Sequence, residues 1–224
     1  MEEPAESLKT KFSSYPGLVT DFVPARQSDG GRLLVALHGL GDSMEGYRWL
    51  PPALELPWMN YLLVNAPDDY YGGYSWYDLY GDPDAGIRRS RKLLTGLLDF
   101  LAESGCPSEQ TVLFGFSQGC LMTLDAGLRH PRRLAGLVGI SGYVHRVTEL
   151  IDELSPVFRE QKVLVTHGTS DPLIDCAMVR RQMESLRSAG VNLVWREFNK
   201  AHTIAGEAEL GLIREFVAGC FEPA

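Results

Sequence analysis

Cysteine is scarce in this 224-residue chain, and the four present, Cys106, Cys120, Cys176 and Cys220, lie far apart. They form no C-x-x-C pair and no Cys/His ligand spacing, which argues against a zinc site or a disulfide framework and leaves four reduced, buried thiols as the expectation. Long apolar runs are missing too: none approaches the ~18 residues that would span a bilayer. The start, Met1-Glu2-Glu3-Pro4, lacks the basic and apolar regions of a signal peptide, so the expected compartment is the cytoplasm. Basic residues are outnumbered, with 21 Lys and Arg against 29 Asp and Glu and a net charge of -8. That balance excludes a nucleic-acid footprint, which needs clustered cations. The one basic run, Arg88-Arg89-Ser90-Arg91-Lys92, opens an amphipathic helix and reads as its solvated face. Nothing repeats, and no linker is visible.

Hydrophobic residues make up 45% of the chain, enough for one substantial core. The expectation is a single domain over residues 1–224, with 1–16 as a peripheral N-terminal extension. Short apolar runs bounded by turn residues alternate with stretches of helical period, the pattern of an α/β protein with a mostly parallel sheet. Seven strands are expected: Leu18 to Val23, Leu33 to Leu37, Tyr61 to Asn65, Thr111 to Phe114, Leu134 to Ile140, Lys162 to Thr166 and Val191 to Phe198. Helices are expected over Asp84 to Leu101, with Ile87, Leu94, Leu98 and Leu101 on one face, and over Gln118 to Arg129, ended by His130-Pro131. Two more should run from Asp175 to Ser188, with Gly190 closing it, and from Ile204 to Ala218, with Ile204, Ala208, Leu212 and Phe216 in line. The segment Ala66 to Pro83 is too long and too aromatic for an ordinary connection. It holds Tyr70, Tyr71, Tyr74, Trp76, Tyr77 and Tyr80, which either cap the core or wall a substrate site.

Gly115-Phe116-Ser117-Gln118-Gly119 follows one expected strand and opens a helix, so it reads as a nucleophile elbow with Ser117 at the apex. A turn this tight strains the serine, and a Cβ at either glycine would strike the adjoining strand or helix. The five-residue pattern alone is weak, and its required partners decide. In an α/β hydrolase the acid and then the base follow the serine, each past a later strand. Asp171, in His167-Gly168-Thr169-Ser170-Asp171-Pro172, is the best-placed acid, with N-capping as its competing role and Asp175 as the substitute. Of the five histidines, only His202 follows Asp171. His38 and His167 each precede a glycine at a strand end and read as structural, and Ser141 reads as a turn residue. The oxyanion donors expected are the N–H of Gln118 and one from His38-Gly39-Leu40-Gly41-Asp42, with Leu40 favoured and Gly39 the alternative.

Leu37-His38-Gly39-Leu40-Gly41-Asp42, the Gly115–Gly119 elbow and His167-Gly168-Thr169-Ser170-Asp171 together resemble the carboxylesterase and acyl-protein thioesterase family, the phospholipase/carboxylesterase family of α/β hydrolases, from about Gly31 to Phe221. The resemblance implies an α/β-hydrolase fold: a mostly parallel sheet of about seven strands, helices on both faces and no large cap domain. It implies a triad of Ser117, Asp171 and His202, and a Leu40 oxyanion N–H. Ser75-Trp76-Tyr77-Asp78 is similar to the element that frames the family's acyl site, which makes Trp76 the expected substrate contact, with Tyr74 beside it in the same aromatic run. Lys200-Ala201 stands where the family usually shows glycine before the histidine, which leaves the triad intact and puts the adjoining pocket's shape in doubt.

The chemistry expected is hydrolysis of short- to medium-chain carboxylic esters through an acyl-enzyme on Ser117, with no metal and no cofactor. The substrate is a small molecule or an acylated partner, and the resemblance leaves a homodimer open. The alternatives are an acyl-protein or acyl-CoA thioesterase, and a hydrolase scaffold that binds without catalysis.

Overall fold

The computed structural model describes residues 12, 15–27 and 30–222. In chain order its strands are β1 (Thr20–Val23), β2 (Leu33–Leu37), β3 (Asn60–Val64), β4 (Asp68–Tyr70), β5 (Gly73–Ser75), β6 (Thr111–Phe116), β7 (Gly136–Ile140), β8 (Val163–Gly168) and β9 (Leu193–Phe198). The helices are α1 (Leu50–Leu54), α2 (Pro83–Glu103), α3 (Gln118–Arg129), α4 (Val147–Asp152), α5 (Cys176–Ser188) and α6 (Gly206–Gly219). Seven strands form one sheet in the order β1-β3-β2-β6-β7-β8-β9, and β4 pairs with β5 in a separate hairpin. Within the sheet only β1 runs antiparallel to its neighbour.

β2, β3 and β7 are buried at every position, as expected of parallel strands covered on both faces. Alternate residues face two different cores. Leu33, Val35 and Leu37 of β2 meet Leu94, Leu97 and Leu98 of α2 together with residues of α3 and α5. Leu34 and Ala36 meet Leu50 and Leu54 of α1 and Ile213 and Val217 of α6. The expected sheet with helices on both faces is therefore present, and the seven expected strands match it to within about two residues at their ends.

Three features differ from expectation. The β4–β5 hairpin was not foreseen, because three-residue strands carry no readable alternation. The buried stripe of α6 consists of Glu209, Ile213 and Val217, one position round from the stripe expected, while Ala208 is exposed. A buried glutamate hides that stripe from any hydrophobic count. The supposed peripheral extension over residues 1–16 falls mostly outside the described residues; of the three that are described, Pro16 is exposed, while Phe12 and Tyr15 pack against the core. Phe12 is fully buried against Phe22, with ring centroids 5.2 Å apart, and the Tyr15 hydroxyl donates to the Leu93 carbonyl at 3.1 Å.

α2 starts where Asp82 caps the Asp84 N–H at 3.0 Å ahead of Pro83, a residue suited to a first turn because it has no N–H to leave unpaired. α3 stops at Arg129, before His130 enters the extended region ahead of Pro131. Gly190 sits at φ +97° just past α5, as a closing glycine does. Among the described residues no helix is long and apolar enough to cross a membrane.

Candidate active site

The loops that leave β2, β6, β8 and β9 all emerge at the carboxyl ends of the strands, where ligands bind in open α/β sheets. Between β6 and α3 the chain turns at Ser117, whose φ of 55° and ψ of -115° lie outside the regions favoured by side-chain-bearing residues. The Ser117 N–H donates to Ile140 O at 2.9 Å, and its carbonyl accepts the Leu121 N–H at 3.2 Å, so both neighbours over-determine the strained turn. A Cβ on Gly115 would lie 2.1 Å from the Gly119 carbonyl oxygen, and one on Gly119 would lie 2.1 Å from the Leu37 carbonyl oxygen. Both glycines are thus required by contact with backbone, which cannot swing aside. Gly119→Ala is expected to destabilise the fold by about 3 kcal/mol, measurable by urea unfolding.

Ser117, Asp171 and His202 come together although they lie on three separate loops. His202 Nε2 is 2.9 Å from Ser117 Oγ, and His202 Nδ1 is 2.7 Å from Asp171 Oδ2. With a carboxylate facing Nδ1, that nitrogen carries the proton, which leaves Nε2 to accept from the serine hydroxyl. The Asp171 carboxyl is fully enclosed. Its other oxygen accepts the N–H groups of Leu173 and Ile174 at 2.9 and 3.0 Å. Burial alone would raise this carboxyl; the His202 hydrogen bond and the two amides outweigh it and hold the group below its ordinary value. Asp175, the substitute acid, instead caps α5 by accepting the Met178 N–H at 2.6 Å. Asp171 therefore faces the imidazole, while Asp175 faces the start of the helix.

His167 lies beside the same carboxylate, its Nε2 3.5 Å from Asp171 Oδ2, but its hydrogen bond goes to the Ile174 carbonyl at 3.0 Å. Burial lowers its proton affinity, in keeping with the structural role expected. His38 is likewise buried and structural. Its Nε2 accepts the Ala66 N–H at 3.0 Å, so Nδ1 carries the proton and donates to Gly39 O at 2.6 Å. The 39–41 turn and the start of the aromatic segment are thus tied to one imidazole.

No backbone acceptor takes the N–H of Leu40 or of Gln118 among the described residues. The Gly39 carbonyl is engaged by His38 Nδ1–H and by the Asp42 N–H at 3.3 Å. Because the connecting peptide is trans, the Leu40 N–H points the opposite way from that carbonyl. Gly39 itself lies against the elbow: a Cβ there would sit 3.3 Å from Ser117 Cβ.

Trp76 requires a correction. Its side chain is fully buried, with Nε1–H donating to the His38 carbonyl at 2.9 Å, so it has no surface to offer a substrate. It braces the loop after β2 from behind. The amide side chain of Gln118 does related work that the sequence did not disclose. Gln118 Oε1 accepts the Trp76 N–H at 3.0 Å, and Nε2 donates to Tyr77 O at 2.9 Å, fastening the 75–77 segment to the elbow. Tyr74 is half-buried, and its backbone exchanges two hydrogen bonds of 2.9 Å with Gly41 N–H and Asp42 O.

The aromatic run therefore splits by role. Trp76 and Tyr77 fill the core, whereas Tyr71 and Tyr80 are 97% and 81% exposed. The Tyr70 ring covers Gly41, 3.5 Å from where a Cβ would be. Leu173, two residues past Asp171, presents an apolar side chain at 73% exposure; its position in a polar loop gave no sequence signal. Cys106, Cys120 and Cys220 are buried as expected, and Cys176 is only partly so. A cavity of about 600 Å³ lies elsewhere, lined by Val23, Arg26, Pro51 and Tyr61 at the far end of β1 and β3.

The pattern of the phospholipase/carboxylesterase family matches residues 20–221. Acyl-protein thioesterase 1 of Schizosaccharomyces pombe is 30% identical over 200 residues, covering 81% of this chain and 88% of the relative. The crystal structure of esterase PE8 is 28% identical and superposes with a TM-score of 0.81 over 91% of this chain and 99% of that one. The Bacillus cereus carboxylesterase, 19% identical with a TM-score of 0.81 over 95% of this chain and 99% of that one, shares the fold. This chain is a member of the phospholipase/carboxylesterase family of α/β hydrolases, and it is an enzyme of the serine-hydrolase kind.

Proposed function

We propose that this protein hydrolyses acyl thioesters, and carboxylic esters by the same steps, through an acyl-enzyme on Ser117. The observation that carries the chemistry is the unbroken hydrogen-bonded series Ser117–His202–Asp171 at 2.9 and 2.7 Å. His202 takes the hydroxyl proton as Ser117 Oγ attacks the acyl carbon and returns it to the departing thiol or alcohol. A water then repeats the cycle in reverse, with the acyl-serine bond as the one broken. Asp171 stays ionised and stabilises the imidazolium formed at each attack. The N–H groups of Leu40 and Gln118 receive the negative charge on the carbonyl oxygen.

Thioesters take first place because the 30% identical relative is named as an acyl-protein thioesterase. The narrower expectation of short- and medium-chain carboxylic esters is the second reading, favoured by the 28% identical esterase. Half-buried Tyr74, exposed Tyr71 and Leu173 provide apolar surface for an acyl chain on either reading, and Trp76 does not. Turnover of a p-nitrophenyl ester series beside S-acyl peptides of matched chain length tests the choice. Higher kcat/KM on the thioesters supports it, and a clear preference for the oxygen esters overturns it.

Since the base must be unprotonated to accept the serine proton, kcat/KM is expected to rise with pH and then level off. A profile in which kcat/KM falls as pH rises from the acidic side contradicts a general base in this role. The single-domain reading of residues 1–224 is kept as part of the proposal, supported by one seven-stranded sheet that joins the first described strand to the last.

A further inference from the structure

Lys200 and Glu209 form an ion pair that is nearly inaccessible to solvent, with Nζ 2.6 Å from Oε1 and side-chain exposures of 3% and 0%. Such a pair is not needed for stability as such: removing two charges from water costs several kcal/mol per ion, and apolar residues of similar size often serve equally well. Its location is more informative. Lys200 is two residues before His202, and the second oxygen of Glu209 accepts the N–H of Ala205, three residues after it, at 2.6 Å. One carboxylate on the first turns of α6 thus holds both ends of the loop that carries the imidazole.

The same loop is joined to the Asp171 side of the site. The Ser170 N–H donates to the Lys200 carbonyl at 3.2 Å, and a Cβ on Gly168 would lie 2.3 Å from that carbonyl. Lys200 is also within electrostatic reach of Asp171, in addition to Glu209. Between Lys200 and Ala205 the only backbone hydrogen bond among the described residues is the Thr203 N–H to Ala201 O at 2.9 Å. Asp171 orients the imidazole itself; Glu209 anchors the backbone that carries it.

We propose that Lys200 and Glu209 are positioning residues, a buried ionic staple that sets the His202 loop at the distance from Ser117 and Asp171 that proton transfer requires. The proposal rests on the triad reading above. A displacement of the imidazole by about 1 Å is enough to cost on the order of 100-fold in rate. The staple replaces the glycine that sequence resemblance led one to expect before the histidine, and supplies order there through charge.

The test is the paired substitution Lys200→Met with Glu209→Leu, which removes both charges and keeps the volume. The expected result is a Tm close to wild type, kcat lower by about 10- to 100-fold and KM little changed. Ser117 should react with a fluorophosphonate more slowly by a similar factor. A folded double variant with wild-type kcat and labelling rate overturns the staple. If the double variant does not fold, Glu209→Gln carries the test, because a carboxamide has one acceptor for the two donors Lys200 and Ala205. A loss of about tenfold in kcat at unchanged KM is then expected, and wild-type kcat overturns the proposal. Wild-type protein that fails to label at all defeats the triad reading instead, which separates the two failures.

Discussion

Ser117→Ala is expected to lower kcat on any acyl substrate by about 10⁶-fold while leaving the fold intact. The hydroxyl is the atom that becomes acylated, and alanine leaves His202 Nε2 facing water across the 2.9 Å that Oγ now bridges. Alanine occupies the elbow with the same Cβ, so the contacts of Gly115 and Gly119 with backbone are undisturbed. What activity is left should reflect the oxyanion donors and binding alone, about 10³-fold over water. Steady-state kinetics on an activated ester, with circular dichroism to verify folding, measures both parts. A residual rate within tenfold of wild type would place the nucleophile elsewhere.

Asp171→Asn is the second large effect, at about 10⁴-fold in kcat. The carboxylate fixes the proton on His202 Nδ1; an asparagine amide can instead donate to Nδ1, moving the imidazole proton to Nε2 and pointing it at Ser117 Oγ. The imidazole then cannot accept the serine proton. The substitution also has a signature in stability. The folded-state value of Asp171 is depressed, so its ionised form favours the fold. That contribution is present above the unfolded carboxyl value of about 3.9 and is lost as pH falls through the lower folded value. Wild type should therefore exceed Asp171→Asn in stability most at neutral pH, with the gap narrowing below about pH 4. Urea unfolding at a series of pH values reads this, and a gap that widens on acidification contradicts it.

The sheet was readable because its central strands are buried on both faces and so appear as uninterrupted apolar runs such as Leu33–Leu37 and Thr111–Phe114. The grouping of Ser117, Asp171 and His202 within hydrogen-bond distance was legible for a different reason. Chain order left His202 as the one histidine past Asp171, and the strand ends placed both on the same side of the sheet. Trp76 was misplaced because an aromatic side chain buries the same area whether it backs a loop or lines a groove, and sequence does not say which way it faces. Its indole N–H to the His38 carbonyl is a contact between residues 38 positions apart, which no local pattern encodes.

Glu209 was hidden for a related reason. An acidic residue in the first turn of a helix is ordinarily read as a solvated group facing the positive end of the helix dipole. Here it is the most enclosed residue of that turn, and the buried stripe of α6 is displaced by one position as a result. Lys200 looked like a lost glycine that reshaped the substrate pocket, and only its distance to Glu209 reveals a partner. The β4–β5 hairpin was illegible because its pairing of Asp69 with Tyr74 rests on two three-residue strands held by the loop after β2.

The most direct test of the account is the intact mass of the folded protein after exposure to a fluorophosphonate, for wild type and Ser117→Ala in parallel. One covalent adduct on the wild type, mapped to Ser117 and absent from the variant, is the predicted result. A folded wild-type protein that takes up no adduct, or a Ser117→Ala variant that is labelled equally, would contradict an activated nucleophile at Ser117.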